Sequence, residues 1–194
     1  MIAQISAFIT EWLLKEKVVE INNRELFSYA AYSLLFGLQP VAIILVLGFV
    51  YGMVREGITM LVPFMLIRKF SGGYHLNSPK MCLICSSLLL ASALALVRSI
   101  SCSPDLYPFS LMTLVSVIIL CIFSPIDSDA RRLTERESFV FKNVSRTIAL
   151  CTFLVYISLL YFQSIRSAVS IGMGINIAAF LQLPCLTRIA FRRK

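Results

Sequence analysis

Charge is the scarcest property of this chain. Asp, Glu, Lys and Arg make up 14% of its 194 residues, against 58% apolar, and the mean hydropathy is +0.84. Soluble domains carry about a quarter charged residues, so this composition excludes one. Apolar runs of about 20 residues recur instead, the length that crosses a hydrocarbon core. The N-terminal stretch lacks the short apolar core and small-residue cleavage site of a signal peptide. Glu11, Lys15, Glu16, Lys17 and Glu20 interrupt it, and no cleavage is expected. Internal repeats, low-complexity linkers and any sign of a second soluble domain are also lacking. One membrane domain over 1–194 is the expectation, and it is all-α.

What is present divides into spans, about six in number by length, preceded by an amphipathic helix. Residues 1–20 place Ile2, Ile5, Ile9, Trp12 and Leu13 at helical spacing. Region 1–28 therefore reads as interfacial, with Trp12 at the headgroup level; a solvated helix packed on the loops is the alternative. The first span is 30–53 and contains Pro40, which a membrane helix tolerates with a kink. The run "GITMLVPFMLI", 57–67, is interrupted by Pro63 and is short for a straight crossing at ~1.5 Å per residue. Runs 81–101, 106–126, 147–165 and 168–187 supply four more, so transmembrane helices fill 29–187. The largest internal loop is 127–146, and a basic tail, "RIAFRRK", closes the chain over 188–194.

Orientation follows from the 18 lysines and arginines. Six crossings with the N-terminus inside leave only Arg55, Arg98 and Arg166 outside. Making 57–67 a non-crossing element would put the 68–80 and 127–146 loops on opposite faces and weaken the asymmetry. Six crossings are thus expected, the short one completed by its polar neighbours or by local thinning. Both termini and the 68–82 loop then face the cytoplasm, where thiols stay reduced. Of the six cysteines, Cys85, Cys121, Cys151 and Cys185 fall inside spans, where Cys acts as a small hydrophobe. Cys102 stands alone near the outer end of a span. Only Cys82 lies at a span boundary on the cytoplasmic side.

The loop 68–82, "RKFSGGYHLNSPKMC", holds the only histidine, His75, seven positions before Cys82. On one continuous helix the pair would be about 10.5 Å apart along the axis and could not meet. Gly72-Gly73 frees the backbone, and Pro79 biases Ser78 away from the α region. Ser78 as N-cap with Pro79 at the first helical position is a helix-start signal. Cys82 then lies in the first turn of the next helix, and His75 can fold back over it. A helix N-terminus, a nearby imidazolium and Lys80 would together favour a thiolate. First-turn N–H groups are free to serve as an oxyanion hole. A structural His in a loop before a membrane Cys remains the alternative. Cys82-x-x-Cys85 also permits a redox pair, but there is no second cysteine pair to relay electrons. A zinc site on His75, Cys82 and Cys85 lacks a fourth ligand, so no metal is expected.

The stretch "FMLIRKFSGGYHLNSPKMC" resembles the central motif of the accessory gene regulator B (AgrB) family, membrane cysteine endopeptidases of Gram-positive bacteria. Arg68, Phe70, Gly72, Gly73, His75 and Cys82 occupy the motif's places. "FSPIDSDARRL", 123–133, is similar to a second family patch, with Ser124 where Ala is usual. The His–Cys motif is specific; the size, the six-span plan and the basic tail agree more generically.

The resemblance implies an enzyme that matures a small AgrD-like precursor peptide in quorum sensing, in the cell membrane. Cys82 attacks the bond after the future ring, the C-terminal tail leaves, and a Cys or Ser of the peptide closes a thiolactone or lactone. His75 serves as base and then acid, while Arg68, Gly72 and Gly73 support the catalytic loop. A third catalytic residue is open, with Asn77 and Asp127 as candidates. Lys69, Arg131, Arg132 and Arg136, with Arg68, are candidates for docking the acidic tail and anionic lipids; positive-inside topology alone would also explain them. No cofactor and no nucleic acid is expected. A homodimer is a family-level expectation, for which Gly172 and Gly174 offer a weak small-residue motif. A non-enzymatic peptide exporter or sensor is the competing class.

Overall fold

The computed structural model describes residues 2–16, 23–72, 78–126 and 135–185, with backbone only at 2, 3, 79 and 135–137. Among them run seven helices: α1 (Ile2–Lys15), α2 (Arg24–Tyr51), α3 (Val54–Ser71), α4 (Pro79–Ser101), α5 (Tyr107–Phe123), α6 (Glu135–Tyr161) and α7 (Ile165–Phe180). The all-α expectation holds. The chain divides into two compact units, Met1–Ile43 and Ile44–Lys194.

In the first unit, α1 turns Ile5, Phe8 and Trp12 outward and buries Ser6 and Thr10. Buried Thr10 satisfies its hydroxyl on the Ser6 carbonyl one turn back, at 2.8 Å. An exposed ion pair, Arg24 to Glu11 at 3.4 Å, links α2 to α1 and is worth little by itself.

The second unit is built around α7, against which α3, α4, α5 and α6 all pack. Small residues make this possible: Ala168, Ser170, Gly172, Gly174, Ala178 and Ala179 are all buried. Without a hydrophobic drive between helices in lipid, association relies on such close backbone approach. Gly174 lies against the Met60 carbonyl and the Pro63 ring of α3, and Gly172 against the rings of Phe109 and Tyr156. Both glycines are thus engaged in packing within the chain. Polar contacts add register. Tyr156 and Ser110 share a hydrogen bond of 2.7 Å between α6 and α5, and Asn176 Nδ2 donates to Thr113 Oγ1 at 3.2 Å between α7 and α5.

Among the described residues four helices, where the sequence predicts six crossings, are long and apolar enough to cross a membrane: Arg24–Tyr51, Lys80–Ser101, Ser138–Tyr161 and Ile165–Cys185. Helix α5 is a shorter apolar helix of 17 residues. The short run 57–67 lies within the 18-residue α3, whose ends add Arg55, Glu56, Arg68 and Lys69. Polar neighbours therefore lengthen this element to 18 residues. Helix α6 departs from the expected span at 147, because it begins at Glu135. Residues 135–146 are polar but contain good helix formers, Glu, Arg and Lys. Hydropathy marks where a helix becomes apolar, not where it starts.

A Cβ on Gly174 would collide with the Met60 backbone oxygen, whereas one on Gly37 meets nothing within 4 Å. Gly174→Ala should destabilise the protein by ~1–3 kcal/mol through overpacking. Gly37→Ala, which also gains helix propensity, should be neutral or stabilising. Thermal unfolding of the two variants in detergent checks this.

Candidate active site

Helix α4 starts where the Ser-Pro signal puts it. Ser78 is the N-cap in an extended conformation (φ −96°, ψ 121°) and Pro79 follows within the first turn. The Cys82 N–H donates to the Ser78 carbonyl at 2.9 Å, the first bond of the helix. The Ser78 side chain makes no capping hydrogen bond, so the first-turn amides receive no acceptor from the cap. Cys82 is half-buried, and Cys85, one turn further along, is exposed. The Cys82 carbonyl accepts from Ser86 Oγ at 2.7 Å. All six cysteines are free thiols.

The other wall is the end of α3. Gly72 takes φ +71° and its N–H donates back to the Arg68 carbonyl at 3.3 Å. Arg68 Nη1 and Ser71 Oγ reach the Gly72 carbonyl at 3.5 and 3.4 Å. The Arg68 guanidinium lies within electrostatic range of the thiols of Cys82 and Cys185. Lys69 is exposed, with its ammonium 5.7 Å from the centre of the Phe70 ring. Phe70 packs edge-to-face on Phe141 of α6, centroids 5.8 Å apart.

The two family-like patches meet here. Gly72 and Ile126 form a parallel bridge, and the Ile126 N–H donates to the Ser71 carbonyl at 3.0 Å. Gln182, beyond α7, reaches the same junction: its Nε2 donates to the Ser71 carbonyl at 3.3 Å and to Ser124 Oγ at 2.8 Å. Arg146 of α6 closes the end of α5, donating from Nε to the Cys121 carbonyl at 2.7 Å. Ser71, Ser124, Ile126 and Gln182 are all buried. Local sequence reading missed Ser71, Arg146 and Gln182. The available signal was an amide, Gln182, inside the apolar run 168–187, which lipid tolerates only with internal partners.

Of the candidate residues, Arg68 and Cys82 lie within electrostatic range of each other, and Gly72 caps the end of α3. His75, Gly73 and Asn77 lie outside the described residues, as do Asp127, Arg131, Arg132 and the side chain of Arg136.

Gly72 is the one position here where glycine is required twice over. A Cβ would stand 2.5 Å from the Ile126 oxygen, and φ is left-handed. Gly52 shares the left-handed φ (+66°) but has nothing within 4 Å. Gly72→Ala should therefore lose ~1–3 kcal/mol or more, and Gly52→Ala only the ~1 kcal/mol of backbone strain. Parallel unfolding curves in detergent separate the two costs.

Comparison with known proteins places the sequence in one family. The family model for Accessory gene regulator B matches residues 6–183. "Putative AgrB-like protein 2" of Clostridium perfringens (strain 13 / Type A) is 25% identical, covering 84% of this chain and 80% of its own length. "Putative AgrB-like protein" of Clostridium perfringens (strain SM101 / Type A) is 20% identical over 96% of this chain and 91% of its own. No solved structure matches. With a family match across nearly its whole length, and with the family's two motif patches bridged at Gly72 and Ile126, the chain belongs to the AgrB family.

Proposed function

We propose that this protein is a membrane cysteine endopeptidase that cuts an AgrD-like precursor peptide and cyclises it through an acyl-enzyme on Cys82. Membership of the AgrB family supports a role in quorum-sensing peptide maturation, with an AgrD-like precursor as partner. The observation that carries the finer reading is the setting of Cys82: first turn of α4, behind an N-cap that leaves the amides uncapped, with the Arg68 charge nearby.

The chemistry follows from that setting. The Cys82 thiolate attacks the carbonyl after the future ring, and the C–N bond breaks as His75 protonates the leaving amine. The tail departs and the peptide remains as a thioester. The peptide's own thiol or hydroxyl, deprotonated by His75, then attacks the thioester, forming a thiolactone or lactone and returning the Cys82 thiolate. First-turn amides of α4 are placed to stabilise the oxyanion. Basic residues Lys69, Arg131, Arg132 and Arg136 attract the acidic tail and anionic headgroups. In this reading the loops 68–82 and 127–134 and both termini lie in the cytoplasm.

Replacing the ring-forming residue of the precursor with Ala removes the acceptor but not the first attack. An enzyme–peptide adduct should accumulate, seen as a mass shift and released by hydroxylamine. It should be absent in Cys82→Ala, slow to form in His75→Ala, and retained in Cys85→Ser, whose thiol the mechanism does not use. Tail-cleaved linear peptide with no adduct at any time would mean direct hydrolysis. No cleavage at all, with protein and precursor both in the membrane, would point to an exporter or sensor.

Orientation has its own check. A single cysteine placed between 127 and 134 in a cysteine-free variant should resist a membrane-impermeant maleimide in intact cells. Ready labelling would overturn the six-crossing arrangement.

A further inference from the structure

Gln182 is fully buried, yet only half of its amide is satisfied. Its Nε2 holds the Ser71 carbonyl and Ser124 Oγ, while Oε1 has no hydrogen-bond partner. The orientation of the amide is set by chemistry: a carbonyl can only accept, so the nitrogen must face Ser71. An orphaned buried oxygen opposes folding. Nor is Gln182 needed to satisfy Ser71, because the Ile126 N–H already donates to that carbonyl. For stability alone, an apolar side chain of the same length would serve as well or better.

The amide does one thing an apolar residue cannot. Ser71 is the last residue of α3, and Gly72 is the turn from which the loop carrying His75 departs. Ser124 opens the segment that reaches Ile126, the bridge partner of Gly72. Gln182 thus holds both sides of that bridge from a third element, joining Ser71 at the end of α3 to Ser124. We propose that Gln182 is a positioning residue for catalysis. It touches neither peptide nor thiol, and acts by setting the root of the His75 loop relative to Cys82. This inference rests on the endopeptidase reading above.

The test uses the full chain in proteoliposomes with a synthetic AgrD-like precursor, and reads kcat, KM and thermal stability for Gln182→Met, Ser124→Ala and the double variant. Gln182→Met should lower kcat by between about tenfold and a hundredfold, the range expected when catalytic groups are displaced from a distance. KM should be unchanged, and the unfolding temperature equal or higher because the orphan oxygen is gone. Ser124→Ala should lower kcat in the same sense, and the double variant should lose less than the product of the two. If Gln182→Met keeps wild-type kcat, or loses kcat only in step with its unfolding temperature, the proposal fails. If that variant does not fold, Ser124→Ala decides: full kcat overturns the role, and a kcat-only loss sustains it. Cys82→Ser, run alongside, separates this from the parent reading. Activity equal to wild type in Cys82→Ser sinks the endopeptidase mechanism itself. An inactive Cys82→Ser beside a fully active Gln182→Met sinks only the role of Gln182.

Discussion

A helix that ends at the edge of a membrane leaves its last carbonyls without intrahelical donors, and lipid offers none. At the ends of α3 and α5 this constraint is met partly from outside the helix. At the end of α3, the Ser71 carbonyl takes the Ile126 N–H and the Gln182 amide, and the Gly72 carbonyl takes Arg68 and Ser71 Oγ of α3 itself. At the end of α5, the Cys121 carbonyl takes Arg146 of α6. The Ile126, Gln182 and Arg146 bonds each tie one element to another. The result is a junction of α3, α5, α6 and α7 at the root of the loop that leads to α4.

That junction depends in turn on α7. Ser71 and Ser124 can share one glutamine only because α7 runs close to both α3 and α5, and its glycines and alanines allow that approach. Gly174 against the Met60 carbonyl sets the spacing in the middle of α3. Gln182 uses the same spacing at its end. Close packing in the bilayer interior and polar satisfaction at its edge are two ends of one arrangement.

The parts of the site legible in the sequence were those governed by local backbone chemistry. Gly72 and the Ser78-Pro79 pair dictate a turn and a helix start, and α4 begins there with Cys82 in its first turn. Four of the expected spans followed from apolar length, since hydrocarbon thickness leaves few alternatives. The illegible parts depended on distance in sequence. Gly72 meets Ile126 and Ser71 meets Gln182 through packing that no periodicity encodes. The start of α6 was hidden for another reason: hydropathy detects solvent preference, and residues 135–146 are charged enough to read as a loop while still forming a helix. Gly172 and Gly174 carried a visible signal of close approach, but a small-residue pair does not say whether its partner lies in the same chain.

On the proposed mechanism, a fixed loop root has a kinetic purpose. Exchange between the Cys82 thioester and a peptide thiol is close to balanced in free energy, so departure of the cut tail must help drive the sequence forward. Water, an irreversible acceptor, competes for the same thioester. The enzyme can favour the ring only by offering the peptide nucleophile a better-placed line of attack than water has. Cys82 is held on the first turn of α4, whose first hydrogen bond it makes to Ser78. Its base, carried on a loop, needs an equally firm origin. The buried links from Ile126 and Gln182 to Ser71 supply it on the α3 side, and the N-cap at Ser78 supplies it on the α4 side. The two ends of the loop are therefore anchored in different helices, and the choice between cyclisation and hydrolysis becomes a matter of how well those anchors hold.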